Sequence, residues 1–129
     1  VAKMNKKSNH TTRQHFDVFK AECKKWLDYF GLKGWQIDYL HDKAEGNRAC
    51  VGWKITGRVA TITLATEWED WRSVPITDDE IRRVAFHEVC ELLLSRMTMM
   101  AKNKIANHED AVDEESHVII RTLENVVFK

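Results

Sequence analysis

The chain has no surplus charge of either sign: 20 lysines and arginines stand against 20 aspartates and glutamates in 129 residues. That balance removes the overall electrostatic signature of a phosphate-tracking nucleic-acid binder or a membrane-surface protein. Only a local basic patch at the N-terminus remains, formed by Lys3, Lys6, Lys7 and Arg13. Cysteine is scarce and odd in number. Cys23, Cys50 and Cys90 are too widely spaced for a secreted disulfide framework or a Cys-x-x-Cys zinc knuckle, which points to a reducing compartment. No apolar stretch approaches the roughly 20 residues of a membrane span, and the polar, basic start lacks the hydrophobic segment of a signal peptide. The expectation is therefore a cytoplasmic protein with no membrane partner. Internal repeats and low-complexity segments are also absent.

What the chain does have is a 43% share of hydrophobic residues, enough for a core that needs no disulfides. Residues 1–10 read as a flexible tail and 11–129 as a single domain. Phe16, Phe19, Cys23, Trp26, Leu27 and Phe30 recur at helical steps, and Gly31 stands where a left-handed cap would end that helix, with Leu32 folding back beyond it. From Trp35 the period becomes two: Trp35, Ile37 and Tyr39 on one side, Gln36 and Asp38 on the other. A second strand over about Ala49 to Ile55, a reversal at Thr56-Gly57-Arg58 and a β-branched run from Val59 to Ala65 complete a three-stranded sheet, expected to be antiparallel. A loop from Glu67 to Val74 carries Trp68 and Trp71, at least one of which should pack in the core. Thr77 and Glu80 have capping-box spacing, and Ile76 and Ile81 that of a hydrophobic staple, so a helix should run from Asp78 to about Met99. After a polar loop from Ala101 to His108, a last helix from about Glu109 to Val127 shows Val112, Ile119, Leu123 and Val126 as its apolar stripe. The fold class is α+β: a small sheet packed on a central helix, with the first and last helices completing the core.

The chemistry concentrates on Val84 to Leu94, Val-Ala-Phe-His-Glu-Val-Cys-Glu-Leu-Leu-Leu, which is apolar nearly all round. His87, Glu88 and Glu91 interrupt it, and burying them without partners costs several kcal/mol, so something must compensate. His87 and Glu91, one turn apart, share a face with about 5–6 Å between Cβ atoms and can grip one cation. Glu88 lies about 100° further round the helix, where a general base could reach an activated water. An intrahelical hydrogen-bonded pair is the bland alternative, better suited to an exposed helix. Cys90 reads as inert core, and His10, His15, His41 and His108 have no partner at ligand spacing.

His87-Glu88-Val89-Cys90-Glu91 resembles the His-Glu-x-x-His helix of the zincin metallopeptidases, in a gluzincin-type domain, with glutamate in place of the second histidine. The order of helix, strands, motif helix and closing helix is similar to short phage and prophage zincin-like proteins. So are Gly31-Leu32-Lys33-Gly34-Trp35, Glu114-Glu115-Ser116-His117 and Arg121-Thr122-Leu123-Glu124. The resemblance implies that His87 and Glu91 bind metal, that Glu88 polarises the attacking water, and that phage origin would place the protein in host cytoplasm. Zinc is the first choice of cofactor. Two carboxylates beside one imidazole also admit Mn2+ or Fe2+.

A catalytic zinc needs one more protein ligand. With the stripe centred on Val112, Ile119 and Leu123, Glu115 falls about 60° from its centre and is the expected third ligand. His117, further off, is the rival as the commoner zinc ligand; Glu114 ranks behind both. Glu124 is read as a supporting residue without a catalytic role. The implied reaction is hydrolysis of an amide in a peptide or protein substrate. Val59 to Ala65 would be the edge strand that receives the substrate, and His117 or Arg72 would steady the oxyanion. Two other classes stay open: a catalytically inactive zincin-like module that binds or inhibits a partner, and a nucleic-acid-associated protein with a structural metal.

Overall fold

The computed structural model describes residues 8–44, 46–69, 75–104 and 109–128. In chain order the elements are β1 (Ser8–His10), α1 (Arg13–Tyr29), β2 (Gln36–Asp42), β3 (Ala49–Lys54), β4 (Val59–Ala65), β5 (Glu67–Glu69), α2 (Asp78–Leu93), α3 (Ser95–Lys104) and α4 (Glu109–Val127). The architecture is α+β, as the sequence pattern requires.

Local signals explain most boundaries. Thr12 caps α1 through a reciprocal box with His15, and Thr77 caps α2 through the box with Glu80. At the end of α1, Gly31 adopts φ 70°, its N–H donating to Asp28 O while Leu32 N–H donates to Leu27 O. This pair of bonds satisfies two carbonyls that the helix end would otherwise orphan.

The larger sheet has the order β2-β4-β3, with β3 antiparallel and β2 parallel to β4. The expected wholly antiparallel sheet is thus corrected to a mixed one. The alternation that marks a strand fixes which side chains face inward but carries nothing about which neighbour it pairs with. The loop after β2 passes the end of β4 on its way to the opposite edge, tied there by Ala65 N–H to Arg48 O and Thr66 N–H to Asp42 O. β4 is therefore the central strand, hydrogen-bonded on both sides, and its backbone has no free edge to offer a substrate. The expectation that Val59 to Ala65 would do so is overturned; β2 and β3 are the edges.

Two further differences concern the tail and the helix that follows the sheet. Ser8–His10, assigned to the flexible tail, pairs antiparallel with Glu67–Glu69 as a two-stranded sheet. Its polar side chains hid the strand, since the pairing uses backbone groups. Residues 1–7, with the basic patch of Lys3, Lys6 and Lys7, lie outside the described residues, as do Trp71 and Arg72. The helix expected to run to Met99 is two helices separated at Leu94, and the second extends to Lys104, into the segment from Ala101 to His108 expected as a loop, the rest of which lies outside the described residues. Leu94 N–H still donates to Cys90 O, and Thr98 N–H to Leu94 O, so apolar periodicity continues through the break.

The main core lies between the sheet, α1 and α2: Phe19, Cys23 and Leu27 meet Ile62, Leu64, Ile81, Ala85, Val89 and Leu92. Trp68 seals one end at 1% exposure, its indole N–H donating to Arg48 O. A second, smaller core of Phe86, Cys90 and Ile120 fastens α4 to α2, with Trp26, Phe30 and Phe128 packed around it. No helix among the described residues is long and apolar enough to cross a membrane.

Candidate metal centre

α2 is buried on two sides. Ile81, Ala85 and Leu92 face the main core, while Phe86 and Cys90 face the second. Glu88 follows the first set by helical spacing and is only 4% exposed. His87 and Glu91 emerge between α2 and α4, each about a quarter exposed.

The inward face of α4 is not the one its apolar periodicity suggests. Ser116, Ile120 and Glu124 are buried, whereas Ile119, Leu123 and Val126 are 38%, 39% and 63% exposed. Centring the face on Ile120 places His117 about 60° away and Glu115 about 140° away at 100° per residue. The expected third ligand, Glu115, is accordingly exposed and outside the group. Glu114 is exposed as well. The rival, His117, turns toward α2.

Three side chains converge. Ligand atoms of His87, Glu91 and His117 all lie within 4.8 Å of one another. His87 Nε2 is 3.5 Å from Glu91 Oε2, and His117 Nε2 is 3.5 Å from Glu91 Oε1. Direct charge-assisted hydrogen bonds close to about 2.7–2.9 Å. Two ligands held at about 2.0–2.1 Å on a tetrahedral cation are instead about 3.3–3.4 Å apart. Both separations are longer than a direct charge-assisted hydrogen bond, and the three side chains stand close enough to hold one cation among them.

Around this group the charge is negative. Glu88's carboxyl is held well above the ordinary carboxylate range, first by burial, then by the charge of Glu91 and a hydrogen bond with it, then by Glu124. Its Oε1 is buried with no hydrogen-bond partner. A buried oxygen without a partner costs free energy that a donor or a cation beside it would offset. Cys90 lies against the same carboxylates, and burial above all, then Glu124 and Glu91, pushes its thiol up to about 12. It stays a protonated core residue, as its place in the helix implies.

Glu124, expected to be a supporting residue, stands against His87. Its Oε2 is 2.7 Å from His87 Nδ1. The signal was present: Glu124 follows His117 by seven residues, two helical turns, which brings both to one face of α4. Elsewhere, His41 lies 2.7 Å from the Thr11 hydroxyl and stacks on Phe16, and His15 belongs to the α1 cap. An open cavity of about 480 Å³ lined by Lys43, Arg48, Glu67 and Glu69 contains none of the converging residues. No family model, curated protein or solved structure matches the chain.

Proposed function

We propose that the chain is a minimal zincin-like, zinc-dependent hydrolase acting on peptide bonds, with His87, Glu91 and His117 as metal ligands and Glu88 as the proton carrier. The observation that carries this reading is the convergence of three ligand atoms from two helices beside a buried carboxyl, one oxygen of which lacks a hydrogen-bond partner. The likeness of the α2 motif to the zincin helix supports the same reading.

A divalent cation held by His87, Glu91 and His117 would supply Lewis-acid polarisation of the scissile carbonyl and of the attacking water. Every other task falls to the chain. Glu91 spans the two imidazoles, one carboxylate oxygen toward each. Glu88 takes the proton of the attacking water and delivers it to the leaving amine. Burial first, and then the charges of Glu91 and Glu124, raise the pKa of Glu88, and a divalent cation in the group would offset the second of these causes. β3, the edge strand on the side of the sheet that packs against α2, is the backbone available for pairing with an extended substrate, in place of β4.

The test is hydrolysis of a fluorogenic peptide mixture by the zinc-loaded protein, beside Glu88→Gln and a chelator-treated sample. The reading requires cleavage that stops with chelation, returns with zinc, and is lost in Glu88→Gln while zinc content stays stoichiometric. A wild-type protein that binds zinc without cleaving any peptide removes the hydrolase reading and favours a binding module. Failure to retain zinc at all removes both.

A further inference from the structure

Glu124 is a buried carboxylate, its side chain 10% exposed, and among the described residues its ion-pair partner is His87. No lysine or arginine among those residues neutralises it. Leaving such a group inside a protein costs several kcal/mol unless it has a specific counterpart. Its position is not accidental to the packing. Ile120, one turn before it, is fully buried in the second core, and Phe128, one turn after, packs on Phe86 and donates its N–H to Glu124 O at 2.8 Å. Arg83 holds the same end by donating to Phe128 O at 3.0 Å. The carboxylate is thus clamped between two anchored turns and aimed at His87 Nδ1, on the ring side opposite the nitrogen that faces Glu91.

From this geometry we infer that Glu124 is a positioning residue, which fixes the His87 proton on Nδ1 and so keeps the Nε2 lone pair directed at the metal group. The inference rests on the metal reading for its purpose but not for its structural content. A carboxylate has no proton to give when ionised, so the short contact requires the ring to donate from Nδ1. A ring carrying one proton then has its lone pair on Nε2, the atom 3.5 Å from Glu91 Oε2. The ring is also prevented from flipping, because a flip would replace the charge-assisted bond with a carbon.

Two measurements test this. In the metal-free protein, long-range 1H–15N NMR at a pH where the His87 ring carries one proton should place that proton on Nδ1. A ring protonated on Nε2 overturns the inference, whatever the protein does with metal. In the second, zinc alone is titrated against a chelating dye. Glu124→Ala should weaken zinc binding about 10–100-fold, the usual cost of losing an outer hydrogen-bond partner of a ligand. Glu124→Gln, whose amide oxygen can still accept from Nδ1–H, should recover part of that loss. Unchanged zinc affinity in Glu124→Ala overturns the inference. A wild-type protein that binds no zinc sinks the metal reading instead, and the NMR result then decides the role of Glu124 alone.

Discussion

The rings of His87 and His117, from different helices, lie 5.5 Å apart at 26° and present their Nε2 atoms to the two oxygens of Glu91. Neither helix can form the group alone: α2 supplies His87 and Glu91, and α4 supplies His117.

That division makes ligand replacement decisive. His117→Ala should lower zinc affinity by more than the about 10–100-fold that an outer partner is worth, while Glu115→Ala leaves it unchanged. Competition with a chelating dye measures both. Equal losses in the two variants would mean that α4 is rotated from the orientation described above.

The same orientation has a stability signature. Ile120 is fully buried and Leu123 is 39% exposed. Ile120→Ala should cost about 2–5 kcal/mol, as core truncations do. Leu123→Ala should cost less than about 1 kcal/mol. Urea denaturation of the two variants gives the comparison, and a larger cost at Leu123 would contradict the assigned face.

These two experiments bear on the part of the molecule that its sequence conceals. Capping boxes and the left-handed Gly31 were legible because each is a local arrangement of a few residues with one geometric purpose. The α2 motif was legible because His87, Glu88 and Glu91 interrupt an otherwise apolar helix. α4 was not, because its buried face carries Ser116 and Glu124 while Ile119, Leu123 and Val126 remain outside. Apolar periodicity finds the inward face only when burial is driven by apolar contact, and here a polar group competes for it. The parallel pairing of β2 with β4 was equally hidden, since each strand's alternation is compatible with either neighbour and either direction.

Thiol chemistry offers a third check. Cys23 and Cys90 are buried, with thiol pKa values pushed up chiefly by burial, and Cys50 is half-buried in β3. In the folded protein a thiol-reactive dye at neutral pH should label Cys50 first, with Cys23 and Cys90 reacting only on unfolding. Mass spectrometry of partly labelled protein reads the order, and early labelling of Cys90 would contradict its place in the second core.

A fourth concerns acid sensitivity. Burial first, and then the neighbouring His15, lower the pKa of His41. The unfolded chain therefore takes up this proton more readily than the fold does. The stability contribution of neutral His41 is fully present above the unfolded value of about 6.5 and is lost as pH falls through the lower folded value. His41→Gln should flatten the wild-type decline in stability across that window, measured by urea midpoints at stepped pH. An unaltered slope would remove His41 as its source.

The strand order β2-β4-β3 also dictates a sequence of events as the chain acquires its structure. β3 and β4 are joined by the short 55–58 turn, where Gly57 and Arg58 take positive φ, and can zip together on the microsecond scale of an isolated hairpin. Among the described residues β2 pairs with β4 alone, and β3 lies between them in the chain, so that pairing is the more distant one in sequence. Its arrival closes a longer loop and sets the slower rate, so substitutions in the 55–58 turn should retard refolding more than equally destabilising ones in β2.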